Sequence, residues 1–249
     1  MRNRQVVLKS HPNGVPLPED FELVEGSIAE PGEGQMLVRN LFFSLEAAIR
    51  GWLDGKANYF EPIPLGGAIR GPSVARVVAS HLAGFEAGDI IFGLHHWEDY
   101  SLSDANTILL SKLSPEPDIP LSYYSGGLGG SGHTAYVGLH EIGKIQAGET
   151  VLISAAAGAT GSMATQIAKL RGCKVVGVVG GDDKAELITQ TLGADAAINY
   201  KTCSDLTAAI TGACPEGIDV YFDNVGGKTL DAALHCMNTF GRVIGCGMI

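Results

Sequence analysis

The residues with the plainest chemical meaning form one run, Ala155-Ala156-Ala157-Gly158-Ala159-Thr160-Gly161-Ser162. An apolar stretch, Val151-Leu152-Ile153-Ser154-Ala155, leads into them. A helical pattern follows from Gly161, with Ala164, Ile167 and Ala168 on one face and Lys169 and Arg171 turned away. Set against G-x-G-x-x-G, the first position is Ala156, and Gly158 and Gly161 fill the other two. A strand turning tightly into a helix aims unpaired N–H groups and the positive end of the helix dipole at a phosphate. Gly158 lets the backbone approach a pyrophosphate, and Gly161 lets the helix pack closely on the strand. Helix–strand packing alone also selects glycine here. The position after a strand, at the head of a β-α-β unit, is what points to a dinucleotide.

The next question is which dinucleotide. An NAD site places an acid about 20 residues further on, where it takes the ribose hydroxyls. Asp182 lies 21 residues after Gly161, so spacing permits NAD. The second strand ends near Val179, however, and Gly180-Gly181 intervene before Asp182-Asp183-Lys184. The glycines leave room for a 2′-phosphate and Lys184 is placed to neutralise it. The plainer alternative makes Asp182 and Asp183 helix-start residues and Lys184 a solvated cation. On spacing and charge NADP is favoured.

These residues need a scaffold, and the hydrophobic pattern supplies one. After residue 123, Lys174–Val179, Ala196–Ile198, Ile218–Phe222 and Val243–Cys246 read as further strands. Helical stretches over Asp183–Leu192, Asp205–Thr211 and Lys228–Met237 separate them. Short connections between alternating strands and helices are the signature of a doubly wound parallel sheet. Residues 1–122 differ: Met36–Val38, Val74–Val78 and Ile90–Phe92 are short apolar runs between Gly/Pro turns. That spacing predicts a β-barrel or sandwich-like module. Pro115, Pro117 and Pro120 mark the crossing between the two. Glycine follows the same division, with 12 in residues 1–124 and 22 in 125–249, so the second half needs more close backbone approaches.

Bulk properties exclude several classes. A net charge of −10 without a Lys/Arg-rich run argues against nucleic-acid binding and against a basic membrane surface. No long uncharged apolar stretch predicts a membrane span, and Lys9, His11 and Pro12 break any secretory signal. A cytoplasmic protein is expected. Five cysteines, all after residue 172 and none in C-x-x-C spacing, make a disulfide scaffold or a Cys-rich zinc site improbable. His95 and His96 are adjacent with no second ligand group beside them, so no metal site is expected.

Several motifs together resemble one family. The phosphate turn, Gly180-Gly181-Asp182-Asp183-Lys184, Ile198-Asn199-Tyr200-Lys201 and Tyr221-Phe222-Asp223-Asn224-Val225-Gly226-Gly227 resemble the zinc-independent medium-chain dehydrogenase/reductases. The nearest branch is that of leukotriene B4 12-hydroxydehydrogenase, prostaglandin reductase and alkenal double-bond reductase. Ser44–Trp52 and Gly132-His133-Thr134-Ala135-Tyr136 agree with it. The resemblance implies an α/β chain: a GroES-like β-rich N-terminal domain over 1–122 and an NADP-binding Rossmann domain over 123–249. The second would be cut short at its C-terminus, with NADP(H) held in the cleft between the two. Residue by residue, it assigns the pyrophosphate turn to Gly158, Ala159, Thr160 and Gly161. It assigns the 2′-phosphate to Lys184 and Tyr200, and a cofactor-lining place to Asn224, Cys246, Gly247, Met248 and Ile249. Tyr200 also reads as an ordinary strand-end tyrosine, and Asn224 as a turn residue.

Two stretches depart from the family. Glu46-Ala47-Ala48-Ile49-Arg50 lacks the proline and aromatic of the usual motif, and Gly130-Ser131 replaces a methionine-containing approach to Thr134-Ala135-Tyr136. The implied activity is NADPH-dependent reduction of the carbon–carbon double bond of small enones or enals by hydride transfer, without zinc. The resemblance gives the developing enolate oxygen to a tyrosine in a segment after Ile249. Tyr136 and Tyr59 are the weaker candidates within the chain, each better read as packing or cofactor wall. Two alternatives stay open: a truncated, non-catalytic NADPH-binding protein, and an NADP-dependent secondary alcohol/ketone oxidoreductase. A homodimer is kept open as well.

Overall fold

The structure is a computed structural model that describes residues 2–56 and 60–247. Its contacts divide the chain into two compact units between Gly126 and Gly127. Residues Leu121–Ser125 belong with the first unit because their 3-10 turn packs on two of its strands.

The first unit holds β1 (Arg2–Leu8), β2 (Phe21–Ser27), β3 (Gln35–Phe43), α1 (Ala47–Trp52), β4 (Arg70–Ser80), β5 (Ile90–His96), β6 (Tyr100–Asp104) and β7 (Ser111–Leu113). Strands β1 and β2 pair as an antiparallel hairpin. The other five form an antiparallel sheet in the order β6-β3-β4-β5-β7. The apolar runs expected as strands lie in β3, β4 and β5. The apolar runs do not mark the hairpin, with one mostly solvated face, the short strands β6 and β7, or the short helix α1. Met36, Val38, Ala75, Val77 and Ile91 form one core cluster; Leu8, Ile49, Trp52, Leu53, Ile63 and Ile69 form another.

The second unit runs α2 (Gly130–Val137), β8 (Thr150–Ser154), α3 (Ala159–Leu170), β9 (Lys174–Val179), α4 (Asp182–Glu186), β10 (Ala196–Asn199), α5 (Leu206–Ala213), β11 (Ile218–Asp223), α6 (Gly227–Leu234) and β12 (Met237–Gly245). Its five strands lie in the order β10-β9-β8-β11-β12, and every pair is parallel. Strand β8 is buried along its whole length, as its unbroken apolar run requires. One apolar cluster collects Val151, Ile153, Ala164, Ala168 and Phe222. A second collects Leu152, Val176, Tyr221, Ile210 and Ala233. Successive strand residues thus feed opposite faces.

Several expected boundaries moved, among them the unit boundary, expected between 122 and 123 and found between Gly126 and Gly127, and the start of the last strand, expected at Val243. Helix α6 stops at Leu234, and Met237, expected inside it, begins β12 instead. Met237 pairs with Ile218 and Arg242 with Val220, so the residues between them bulge, with Phe240 at φ +63°. Periodicity does not reveal such a bulge, because the extra residues break the period-2 pattern. The helix expected over 183–192 is α4 followed by a π-helical turn, Leu187–Thr191.

Candidate functional site

The site is built where the parallel strands end. Ala155, just after β8, takes a left-handed backbone at φ +47°, which an L-residue adopts only at a cost. The chain then turns, with the Gly158 N–H donating to Ala155 O at 2.8 Å, and α3 begins. At Gly161 a Cβ would stand 2.2 Å from Ala155 O and 2.9 Å from Ala156 Cα. Only glycine fits between the helix and the turn. Gly158 caps α3 without any side-chain hydrogen bond. The first intrahelical bond of α3 is Ser162 N–H to Gly158 O, so the N–H groups of Ala159, Thr160 and Gly161 have no intrahelical partner. Gly158 and Ala159 are exposed. The turn is an anion-binding geometry in reach of solvent.

A second group gathers after β9 and β10. The Tyr200 ring lies on Gly180: a Cβ there would be 2.8 Å from Tyr200 Oη and 3.0 Å from its ring. The ring is half exposed, and Tyr200 N–H is held by Val179 O at 3.0 Å. Lys184 is exposed on α4, and its ammonium has no partner among the described residues. Asp182, the acid that spacing offered to NAD, accepts a hydrogen bond from Asn199 Nδ2 at 2.7 Å.

The third group spans β8 and β11, the pair at which the strand order reverses direction. Asp223 Oδ1 accepts from Tyr221 Oη (2.7 Å), Ser154 Oγ (3.2 Å), Val225 N–H (3.0 Å) and Gly226 N–H (2.9 Å). Asn224 is tied to the same place, its backbone N–H donating to Ser154 Oγ and its Nδ2 to Ser154 O. The N–H groups of Cys246 and Gly247 both donate to Asp223 O. Burial and the adjacent Asp223 carboxylate push the Tyr221 hydroxyl well above its usual pKa and keep it protonated. Burial and Asp223 likewise raise the Cys246 thiol. A topological switch point between carboxyl ends of parallel strands is where open α/β sheets take ligands.

The structure therefore brings Asn224, Cys246 and Gly247 together, sets Tyr200 on the glycine that precedes α4, and places Gly158–Gly161 after β8. Met248, Ile249 and Tyr59 lie outside the described residues. Tyr136 sits on the exposed side of α2, its ring 4.6 Å from that of His140. Sequence reasoning gave no role to Ser154 or Asp223. Their signal was present: each is the polar last residue of a buried parallel strand.

In the first unit, among the described residues, the polar groups gather inside the sheet rather than at strand ends. His95 is a core residue, with Nδ1 2.7 Å from Ser73 Oγ and Nε2 3.3 Å from Ser103 Oγ. Burial pushes its pKa down to about 4, so it is neutral. A cavity of about 370 Å³ is lined by Asn3, Gln5, His96 and Glu98, among others. Glu98 already accepts from Asn3, Gln5 and Ser101 there. Among the described residues no three His, Cys, Asp or Glu side chains are grouped to hold a metal ion.

Fold and strand-end geometry together define a two-unit α/β chain of the dehydrogenase kind. Comparison with known proteins agrees. Residues 4–110 match a family described as N-terminal domain of oxidoreductase, and residues 159–249 one described as zinc-binding dehydrogenase. The chain is 42% identical over 248 residues to the NADPH-dependent curcumin reductase of Escherichia coli strain K12, covering 100% of this chain and 71% of that protein. It is 42% identical over 251 residues to the 2-alkenal reductase (NADP(+)-dependent) of Nicotiana tabacum, covering 99% and 73%. Crystalline CurA from Vibrio vulnificus in complex with NADPH superposes with a TM-score of 0.87 at 40% identity, covering 96% of this chain and 70% of that one. The chain belongs to the zinc-independent medium-chain dehydrogenase/reductases, in the branch of the curcumin, alkenal and prostaglandin reductases.

Proposed function

We propose that this protein is an NADPH-dependent reductase of the carbon–carbon double bond of α,β-unsaturated ketones and aldehydes. The observation that carries the reading is the turn after β8. The missing Cβ at Gly161 and the three N–H groups without intrahelical partners make a cradle that fits a pyrophosphate. Gly158, Ala159, Thr160 and Gly161 would hold that group. Lys184 and Tyr200 would take the 2′-phosphate beside Gly180, and Asn224, Cys246 and Gly247 would line the bound cofactor. Met248 and Ile249 are assigned with them on resemblance alone.

When bound, NADPH supplies the hydride that adds to the β-carbon of the alkene. The chain's own residues bind and orient. Ser154 fixes the backbone of Asn224 and Asp223 that of Gly247, so both are held before any ligand arrives. The reading favours a cytoplasmic enzyme of small molecules rather than a nucleic-acid or membrane-lipid binder. Its supports are the net charge of −10 and the lack, among the described residues, of a helix long and apolar enough to cross a membrane.

Stopped-flow loss of NADPH absorbance with simple alkenals and alkenones tests the proposal, and deuterated NADPH should label the β-carbon. Tight NADPH binding with no turnover of any enone would overturn it. Label at a carbinol carbon instead would make the protein a ketone reductase. Lys184→Glu should weaken NADPH roughly 10- to 100-fold, the worth of one charge-assisted contact, while NADH changes little. Equal losses would contradict the 2′-phosphate assignment.

A further inference from the structure

By spacing alone Asp182 matches the acid that takes the ribose hydroxyls in an NAD-binding fold, and it opens α4 just after Gly180 and Gly181. Here it is engaged. Asn199, the last residue of β10, donates from Nδ2 to Asp182 Oδ1 at 2.7 Å. Its own Oδ1 accepts from Lys201 N–H at 3.1 Å. Both ends of the Asn199 amide are thereby committed, which fixes its orientation. The flipped amide would set a carbonyl against the carboxylate and an NH2 against an N–H. Next in sequence, Tyr200 covers Gly180, and Lys184 follows Asp182 by two residues with its ammonium unpaired among the described residues.

We propose that Asn199 is a cofactor-specificity residue: by tethering Asp182 to the end of β10, it withholds the acceptor that would favour NADH and steadies a negative charge beside the 2′-phosphate place. The proposal rests on the NADP(H) reading above and deepens it. Released from Asn199, the Asp182 carboxylate is free to take the ribose hydroxyls of NADH and to repel a 2′-phosphate. Asp182 and Lys184 are both exposed, so solvent screens the effect and added salt shrinks it.

The test is the ratio of NADH to NADPH dissociation constants, measured by fluorescence titration of the chain at low and at high salt. Asn199→Ala should lower the preference for NADPH roughly fivefold at low salt, and less at high salt. Asp182→Ala breaks the same hydrogen bond from the other side but removes the charge, so the preference should hold or rise. Asn199→Asp keeps an acceptor for Lys201 N–H and should also lower the ratio, which guards against a local folding defect in the alanine variant. Equal weakening of both cofactors by Asn199→Ala, or a fall in the ratio with Asp182→Ala, would overturn the inference. A wild-type chain with no preference for NADPH would instead overturn the parent reading, and this inference with it.

Discussion

Each unit buries one polar hub inside an apolar sheet, and the two hubs spend their hydrogen bonds differently. In the β-rich unit His95 lies within β5 and bonds to side chains of two other strands, Ser73 on the paired β4 and Ser103 on β6. Ser73 passes its proton to Asn40 Oδ1 on β3, and Ser103 meets Thr107 Oγ1 at 2.9 Å. This network assigns the proton of neutral His95 to Nδ1. It runs on from Asn40 Nδ2 to Ser101 Oγ on β6 and to the carbonyls of His96 and Glu98. In the parallel unit Asp223 lies at the end of β11, and two of its four donors are backbone N–H groups of the following turn. Its own carbonyl holds the N–H groups after β12. A polar group within a sheet fixes strand pairing, whereas one at a strand end fixes loops. Loops on a rigid scaffold are where ligands bind.

That contrast can be broken experimentally. Asp223→Ala should have the largest effect, since it strands the hydroxyls of Ser154 and Tyr221 and two backbone N–H groups in a buried place. We expect a loss of about 3 kcal/mol in urea denaturation together with at least a tenfold weaker NADPH complex. Lost stability with NADPH affinity unchanged would make the two hubs alike.

His95 should touch stability only. Its pKa of about 4 lies below the ordinary 6.5, chiefly because burial disfavours the charged ring; His96 lowers it further and Glu98 opposes. As pH falls from 6.5 towards 4, the unfolded chain takes up a proton that the folded chain refuses, so stability falls across that window. Above it His95 contributes no pH dependence. At pH 5 the penalty is about 2 kcal/mol. Denaturation as a function of pH should show this slope, and His95→Gln should flatten it while leaving NADPH affinity within about twofold. A large change in affinity would give the β-rich hub a role in binding.

The smallest effect belongs to Tyr136. Its ring is exposed against His140, and Tyr136→Phe should alter kcat less than about threefold, against the 100-fold or more expected of a proton donor. A hundredfold loss would move the chemistry onto α2.

Much of the parallel unit was legible residue by residue. Strand β9 has the bounds that its apolar run predicts, β10 is one residue longer, and β8 is shifted by one residue. Buried parallel strands carry unbroken apolar runs, and these survive in any context. The β1–β2 hairpin was illegible because its pattern is weak: Glu22, Leu23 and Glu25 are all exposed. The glycine at 161 announced the phosphate turn. Asp182, by contrast, was readable only as an acid at a permissive spacing, with nothing to say whether it was free.

What the sequence determined by itself was local: which stretches pair as buried strands, where the chain must turn without a side chain, and the charge at each position. The partners of those charges were decided by the tertiary structure. Asn199 and Asp182 are 17 residues apart, and Ser154 and Asp223 are 69 apart. Each pair meets because parallel strands deliver their carboxyl ends to the same edge of a sheet. No local pattern encodes such a meeting, since it depends on the order in which the strands assemble.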